Sequence, residues 1–186
     1  MINVKEIFRV GVILFAITAV SAALLAGANK VTAPVIAENN KIKTEKAMQT
    51  VFADADSFEQ VQIEKDGIVE AYVAKSGNSV AGSCVVSEAY GYGGAVRVMT
   101  GVTSEGKVTG IDILSHAETP GLGANATKPE FKEQYKDKSA GIKIAKSGAG
   151  ENEINAMSGA TITSTAVTNA VNLALEAAEE IVKEAQ

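Results

Sequence analysis

Tryptophan is absent from this 186-residue chain, proline occurs three times, and cysteine and histidine occur once each, at Cys84 and His116. One cysteine excludes an internal disulfide and any metal site built from a cysteine cluster. One histidine excludes multi-histidine metal centres and leaves a nucleophilic triad with a single possible base. Aromatic residues make up only 5% and the net charge is −5, so the chain lacks both base-stacking rings and a basic face, and nucleic acid is not expected as a partner. What remains is ordinary: 46% hydrophobic and 21% charged, the proportions of a globular chain rather than a disordered or coiled-coil one.

Charge is unevenly spread. Residues 1–50 carry six basic and three acidic groups, whereas residues 51–186 carry eleven basic and nineteen acidic ones. Within the basic leader, Val10 to Ala28 has no charged residue. Nineteen helical residues at 1.5 Å each come close to the ~30 Å thickness of a bilayer core. Lys5 and Arg9 before this run, and Ala26-Gly27-Ala28 at its end, also suit a cleaved signal peptide. The length of the run favours an uncleaved span, because a signal core is typically ~7–15 residues. Lys30, Lys41, Lys43 and Lys46 follow the span, so basic residues flank it on both sides. The default for a first span with so short a leader is a cytoplasmic N-terminus, which puts the acidic domain on the extracytoplasmic side of the cell membrane.

Three regions are expected: an anchor over 1–30 in contact with membrane lipid, a linker helix over 31–54, and a domain over 55–186. In the domain, alternating apolar residues from Phe58 to Ile63 and from Ile68 to Val73 flank Asp66-Gly67, a hairpin signal. Further strands are expected over Val80–Val86, Val96–Val102 and Val108–Leu114, with turns at Tyr90–Gly94 and Ser104–Gly106. A loop rich in small residues spans 115–127. A short helix is predicted over Pro129–Lys136, a short strand over Ile142–Ile144 and a flexible turn over Ser147–Gly150. Ala166, Ala170, Val171, Leu173, Ala174, Ala177, Ala178 and Ile181 then mark the apolar stripe of a last helix, Thr163–Lys183. Strands first and helices at the ends predict an α+β fold, a mainly antiparallel sheet flanked by helices.

The stretch Ser158-Gly159-Ala160-Thr161-Ile162-Thr163-Ser164-Thr165 carries the most chemistry. Hydroxyls ahead of an alanine-rich helix suit an N-cap, where a side-chain oxygen accepts a free backbone N–H. A cap needs one hydroxyl, however, and has no need of Gly159. The start of a helix also offers unsatisfied N–H groups and the positive end of the helix dipole, which suit a phosphate. Gly159 and Ala160 leave Thr161 sterically open. A threonine hydroxyl does not attack a phosphoanhydride unaided, so any phosphoester here requires a separate enzyme with a metal to activate it.

Ser158-Gly159-Ala160-Thr161 resembles the flavinylation motif of the FMN-binding domain family. Members of that family include the G subunit of the Rnf electron-transport complex and the C subunit of the sodium-pumping NADH:quinone reductase. His116-Ala117-Glu118-Thr119-Pro120-Gly121-Leu122-Gly123 resembles the family's flavin-contacting loop, and Tyr90-Gly91-Tyr92-Gly93-Gly94 its glycine-rich strand entry. The single N-terminal span also matches. The absence of long insertions puts the Rnf member ahead of the quinone-reductase one. The family's motif usually has an acidic residue three positions before the serine, where this chain has Asn155.

The resemblance implies FMN held covalently through a phosphoester on Thr161, made by a dedicated flavin transferase. It implies further contacts from Ser158, Gly159, Ala160, Thr163, Ser164, His116, Glu118, Thr119, Gly121 and Leu122. In this reading Thr119 meets the ring edge, Leu122 packs on the ring face, Thr163 and Ser164 serve as caps or phosphate contacts, and Gly121 and Gly123 supply loop dihedrals. His116 is otherwise a plain surface residue and Glu118 a structural acceptor.

The chain is then a redox-carrier subunit of an ion-translocating ferredoxin:NAD oxidoreductase, alongside other membrane and iron–sulfur subunits, and not catalytic by itself. It has neither a dinucleotide fingerprint nor a cysteine cluster, and the span holds no ionisable residue for an ion path. Two readings compete: an anchored non-redox binding or assembly domain, and a serine hydrolase. The hydrolase is disfavoured because no G-x-S-x-G elbow exists.

Overall fold

The computed structural model describes residues 4–77 and 79–185. They fall into two units, one ending at Ile42 and the other beginning at Lys43.

The first helix, α1, runs without a break from Val4 to Val51, with Pro34 inside it. One helix thus covers the apolar run and the expected linker as far as Val51. Its apolar stretch has a mean hydropathy of 2.4 and no buried residue. Phe8, Phe15, Leu24 and Leu25 all stand exposed. A helix this long and apolar is able to cross a membrane, and a bilayer gives such a surface its cover. Its polar side chains are suited to that medium: the Thr18 and Thr32 hydroxyls donate to the carbonyls of Leu14 and Ala28, one turn back, at 3.0 and 3.1 Å.

In the second unit the sheet is an antiparallel meander in the order β1 to β5. Its strands are β1 (Ser57–Val61), β2 (Ile68–Ser76), β3 (Ser79–Tyr90), β4 (Ala95–Thr103) and β5 (Val108–Ser115). β1 and β2 pair antiparallel, Val61 opposite Ala71, and the link between them spans residues 62–67 rather than a tight two-residue turn. β3 is longer than the apolar alternation indicates, extending to Tyr90, because its far end pairs with β4 up to Tyr90 opposite Ala95.

The two faces of the sheet are covered differently. One packs on the last helix, α3 (Thr161–Ala185). Val96, Val98 and Val102 of β4 meet Val167, Val171 and Leu175, while Val85 of β3 meets Ala174 and Ala177. Small alanines at the contact let helix and sheet approach closely, and the Ser87 hydroxyl donates to the Ala170 carbonyl at 2.7 Å. On the other face, Ala47, Met48 and Val51 from the end of α1, with Phe52, cover Cys84, Val86 and Met99. Burial pushes the Cys84 thiol up to about 12, so it sits there as a small apolar side chain.

The segment between β5 and α3 packs along the β5 side. A one-turn helix at Gly123–Thr127 leads to α2 (Pro129–Lys132) and a second single turn, Glu133–Tyr135. The expected helix over 129–136 is therefore two short turns of different pitch. Tyr135 is fully buried, edge-on to Phe131 at 5.6 Å, and its hydroxyl meets Thr168 at 2.7 Å. Strand β6 (Lys143–Ala145) pairs in parallel with β7 (Glu153–Asn155). β7 has no signature in the sequence, because Glu-Ile-Asn lacks a strand pattern. It forms because Ile154 is buried and because Gln134 bonds both the N–H and the C=O of Asn155. The α+β class and the antiparallel sheet flanked by helices are as expected from the sequence.

Candidate functional site

A cavity of about 610 Å³ opens at the N-terminal end of α3, within the ~300–1,000 Å³ usual for small-molecule sites. Three chain segments form its wall: Tyr92 from the β3–β4 turn; Glu118, Thr119, Leu122 and Gly123 from the loop after β5; and Gly159 to Thr163 at the start of α3.

The entry to α3 shows why the hydroxyl-rich segment has its particular residues. A turn is closed by the Ala160 N–H donating to Met157 C=O at 3.0 Å. Gly159 stands third in that turn at φ +72°, a left-handed conformation that a side chain would strain. A Cβ there would also lie 3.2 Å from Leu122 Cδ2 across the cavity. Ala160 is buried, and Thr161, the first residue of α3, stands exposed on the cavity wall. The N–H groups of Thr161, Ile162 and Thr163 have no preceding helical carbonyl to meet, whereas the Ser164 N–H donates to the Ala160 carbonyl at 3.0 Å.

The remaining hydroxyls take different roles. Ser164 Oγ is fully buried; it accepts the Met157 N–H and donates to the Ala160 carbonyl, both at 3.0 Å, fastening the turn from behind. Thr163 is buried and donates to Glu118 Oε2 at 2.6 Å. Ser158 is exposed, and Thr165 donates to the Thr161 carbonyl at 2.9 Å. Of the hydroxyls in the run, Thr161 alone is both exposed and on the cavity wall.

Glu118 is only 6% exposed, and its Oε1 accepts the Gly93 N–H at 2.9 Å. Its own N–H donates to His116 Nδ1 at 3.2 Å, which puts the neutral imidazole proton on Nε2. His116 is half-buried and touches the cavity only through Glu118. Gly121 has φ +78° with open space around it, so its backbone conformation accounts for glycine there. Gly123 is different: its φ is not left-handed, and a Cβ would lie 2.5 Å from Glu118 Oε2 and 2.6 Å from Thr163 Oγ1. Close packing, not dihedral freedom, accounts for that glycine.

The structure brings Thr161, Gly159, Ala160, Thr163, Glu118, Thr119 and Leu122 onto one cavity wall; Ser158, Ser164, Gly121 and His116 lie next to that wall but not on it. Tyr92, Gly123 and Ile162 also line the cavity, and sequence reasoning had not placed them among the site residues. Tyr92 and Ile162 are 75% and 57% exposed, and with Leu122 they form an apolar rim. The available signal was Ile162 itself, an isoleucine on the open side of a helix start amid hydroxyls. Asn155 Oδ1 accepts the Ala149 N–H at 3.1 Å and so holds the 146–152 loop. Among the described residues no acidic, histidine or cysteine cluster of metal-binding geometry occurs.

The profile of the FMN-binding domain family matches residues 91–176, and that of the RnfG N-terminal region matches residues 1–51. The chain is 41% identical over 158 residues to the G subunit of the proton-translocating ferredoxin:NAD(+) oxidoreductase complex of Clostridium ljungdahlii, covering 84% of this chain and 83% of the relative. It is 38% identical to the G subunit of the Na(+)-translocating ferredoxin:NAD(+) oxidoreductase complex of Acetobacterium woodii, covering 98% and 96%. The crystal structure of Shewanella oneidensis NqrC superposes with a TM-score of 0.56 at 19% identity, over 72% of this chain and 73% of that one, and so shares its fold.

Proposed function

The chain belongs to the RnfG family of ion-translocating oxidoreductase complexes, and from that premise we propose that it is a membrane-anchored electron carrier holding FMN as a phosphoester on Thr161. Residues 1–30 serve as the anchor, with the N-terminus in the cytoplasm and the flavin domain on the extracytoplasmic side. Other membrane and iron–sulfur subunits of the complex are its partners, and a flavin transferase attaches the FMN. The observation that carries this reading is the placement of Thr161: an exposed hydroxyl at the first position of α3, on the wall of a cavity with an apolar rim.

The donor set fits the group. Apolar Leu122, Ile162 and the Tyr92 ring suit a planar isoalloxazine, and the helix start suits a phosphate. When bound, the FMN supplies reversible electron uptake. The chain supplies what surrounds it. Thr161 provides the oxygen of attachment. The first N–H groups of α3 stabilise negative charge beside it. Leu122 and Tyr92 would give the ring apolar surface to pack on, and Thr119 lies on the cavity wall. Glu118 ties the loop after β5 to the Gly93 N–H and the Thr163 hydroxyl and so holds the wall together.

Covalent attachment is tested on a denaturing gel viewed under ultraviolet light, using chain co-expressed with the transferase. A fluorescent band that vanishes in Thr161→Ala is the expected result. A dark band from the unaltered chain would leave only the anchored binding or assembly domain.

A further inference from the structure

Glu118 is the one carboxylate among the described residues that is buried. Among the described residues no lysine or arginine is salt-bridged to it; its two oxygens are taken by a backbone N–H, from Gly93, and a hydroxyl, from Thr163. Those two donors belong to segments 70 residues apart in the chain, the β3–β4 turn and the first turn of α3. Glu118 itself sits on the third segment, the loop after β5. The carboxylate therefore joins all three walls of the cavity at one point.

Three glycines leave room for this junction. A Cβ on Gly91 would collide with Glu118 Oε1, one on Gly93 with the Ala117 carbonyl, and one on Gly123 with Glu118 Oε2. Substitution at any of them would displace the loop or the carboxylate. A buried anion without a cation costs free energy unless hydrogen bonds and a favourable field offset it. Here the first turn of α3 contains no acidic residue of its own, and Glu118 brings a negative charge to that positive helix end from another part of the chain.

We propose that Glu118 is a positioning residue: a clamp that locks the β3–β4 turn and the loop after β5 onto the start of α3, and so fixes how Thr161 is presented for modification. The part concerning modification rests on the FMN reading above; the clamp does not. Among the described residues none bonds the Thr161 side chain, so its orientation follows the turn fastened by Ser164 and the jaw fastened by Glu118.

The test uses the full-length chain purified without transferase and therefore without flavin, so that the clamp is read independently of attachment. Amide hydrogen exchange is followed at Gly93. In Glu118→Ala the Gly93 amide exchanges about tenfold faster, the factor corresponding to the loss of a hydrogen bond to a charged group. Glu118→Gln, which keeps the shape and one acceptor oxygen, restores most of the protection. Should Glu118→Ala fail to fold, Thr163→Val and Glu118→Gln carry the test: Thr163→Val removes one jaw while leaving the Gly93 bond, so protection at Gly93 persists.

Transferase is then added, and the rate of flavin attachment is measured by in-gel fluorescence. Attachment is expected to slow in the order Glu118→Gln, Thr163→Val, Glu118→Ala. Unchanged Gly93 exchange in folded Glu118→Ala overturns the clamp. So does attachment to that variant, or to Thr163→Val, at the unaltered rate. If the unaltered chain takes up no flavin at all, the FMN reading fails and the exchange result still decides the clamp.

Discussion

The two ends of α3 are built on opposite principles. At the start, the first turn has no acidic residue, glycines crowd the approach, and one buried carboxylate arrives from a distant loop. At the finish, Glu176, Glu179, Glu180 and Glu184 line the helix, exposed, near the end where the dipole least favours them. Lys65 offsets part of this, 3.7 Å from Glu176 and 3.4 Å from Glu180, and Lys183 is the basic residue of the last turn. A groove of about 410 Å³ lies at this end too, bordered by Glu64, Glu180 and Glu184 over Val61, Ile63 and Ile181. Cavity volume alone therefore does not separate the ends. What separates them is an exposed hydroxyl at a helix start, held in place by fully bonded buried groups.

If that contrast is right, substitutions along α3 separate stability from modification. The largest stability effect is expected in the middle. Leu175→Ala, at a fully buried position between the two ends, is expected to cost ~2–5 kcal/mol in urea unfolding of the domain. The fraction that folds still accepts flavin. Gly93→Val drives a side chain against the Ala117 carbonyl and is expected to cost ~1–3 kcal/mol while abolishing modification, since it shifts a cavity wall. The reverse result, intact modification in Gly93→Val, would remove the distinction between the ends.

Smaller effects sharpen the contrast at the far end. Glu180→Ala loses an exposed ion pair with Lys65 and is expected to change stability by less than ~1 kcal/mol, with flavin attachment unaltered. At neither end, Cys84 is buried under the close of α1, with its thiol pushed up to about 12. Because the raised folded-state value keeps the thiol protonated, its contribution to stability is complete below the unfolded value of 9.0 and is lost as pH rises toward 12. An alkylating reagent at about pH 8 is accordingly expected to leave the folded chain unlabelled and to label it once urea unfolds it.

Much of this architecture was legible in the residues. Five alternating segments and an alanine stripe were enough for the sheet and α3, because period-2 and period-3.6 burial write themselves directly into apolar spacing. The turns over 129–135 were legible as one short helix, but β7 and the single turn at Gly123–Thr127 were not: Gln134 and one buried isoleucine hold β7 rather than any local pattern. At the site, the hydroxyl run and, through the family resemblance, Thr161 within it were legible, but the partners of the other hydroxyls were not. Burial and partners distinguish Thr161, open to the cavity, from Thr163 and Ser164, whose hydroxyls are occupied within the chain. Tyr92 reaches the cavity through tertiary packing of a turn, a placement with no periodic signature. Gly123 likewise owes its identity to a carboxylate five positions earlier, a contact that spacing does not disclose.

The most direct test is mass spectrometry of the proteolytic peptide containing residues 158–165 from chain matured with its transferase. The account predicts that FMN-phosphoryl mass is carried by that peptide and that fragmentation assigns it to Thr161. An unmodified peptide, or an adduct assigned to Ser158 or Thr163, would contradict it.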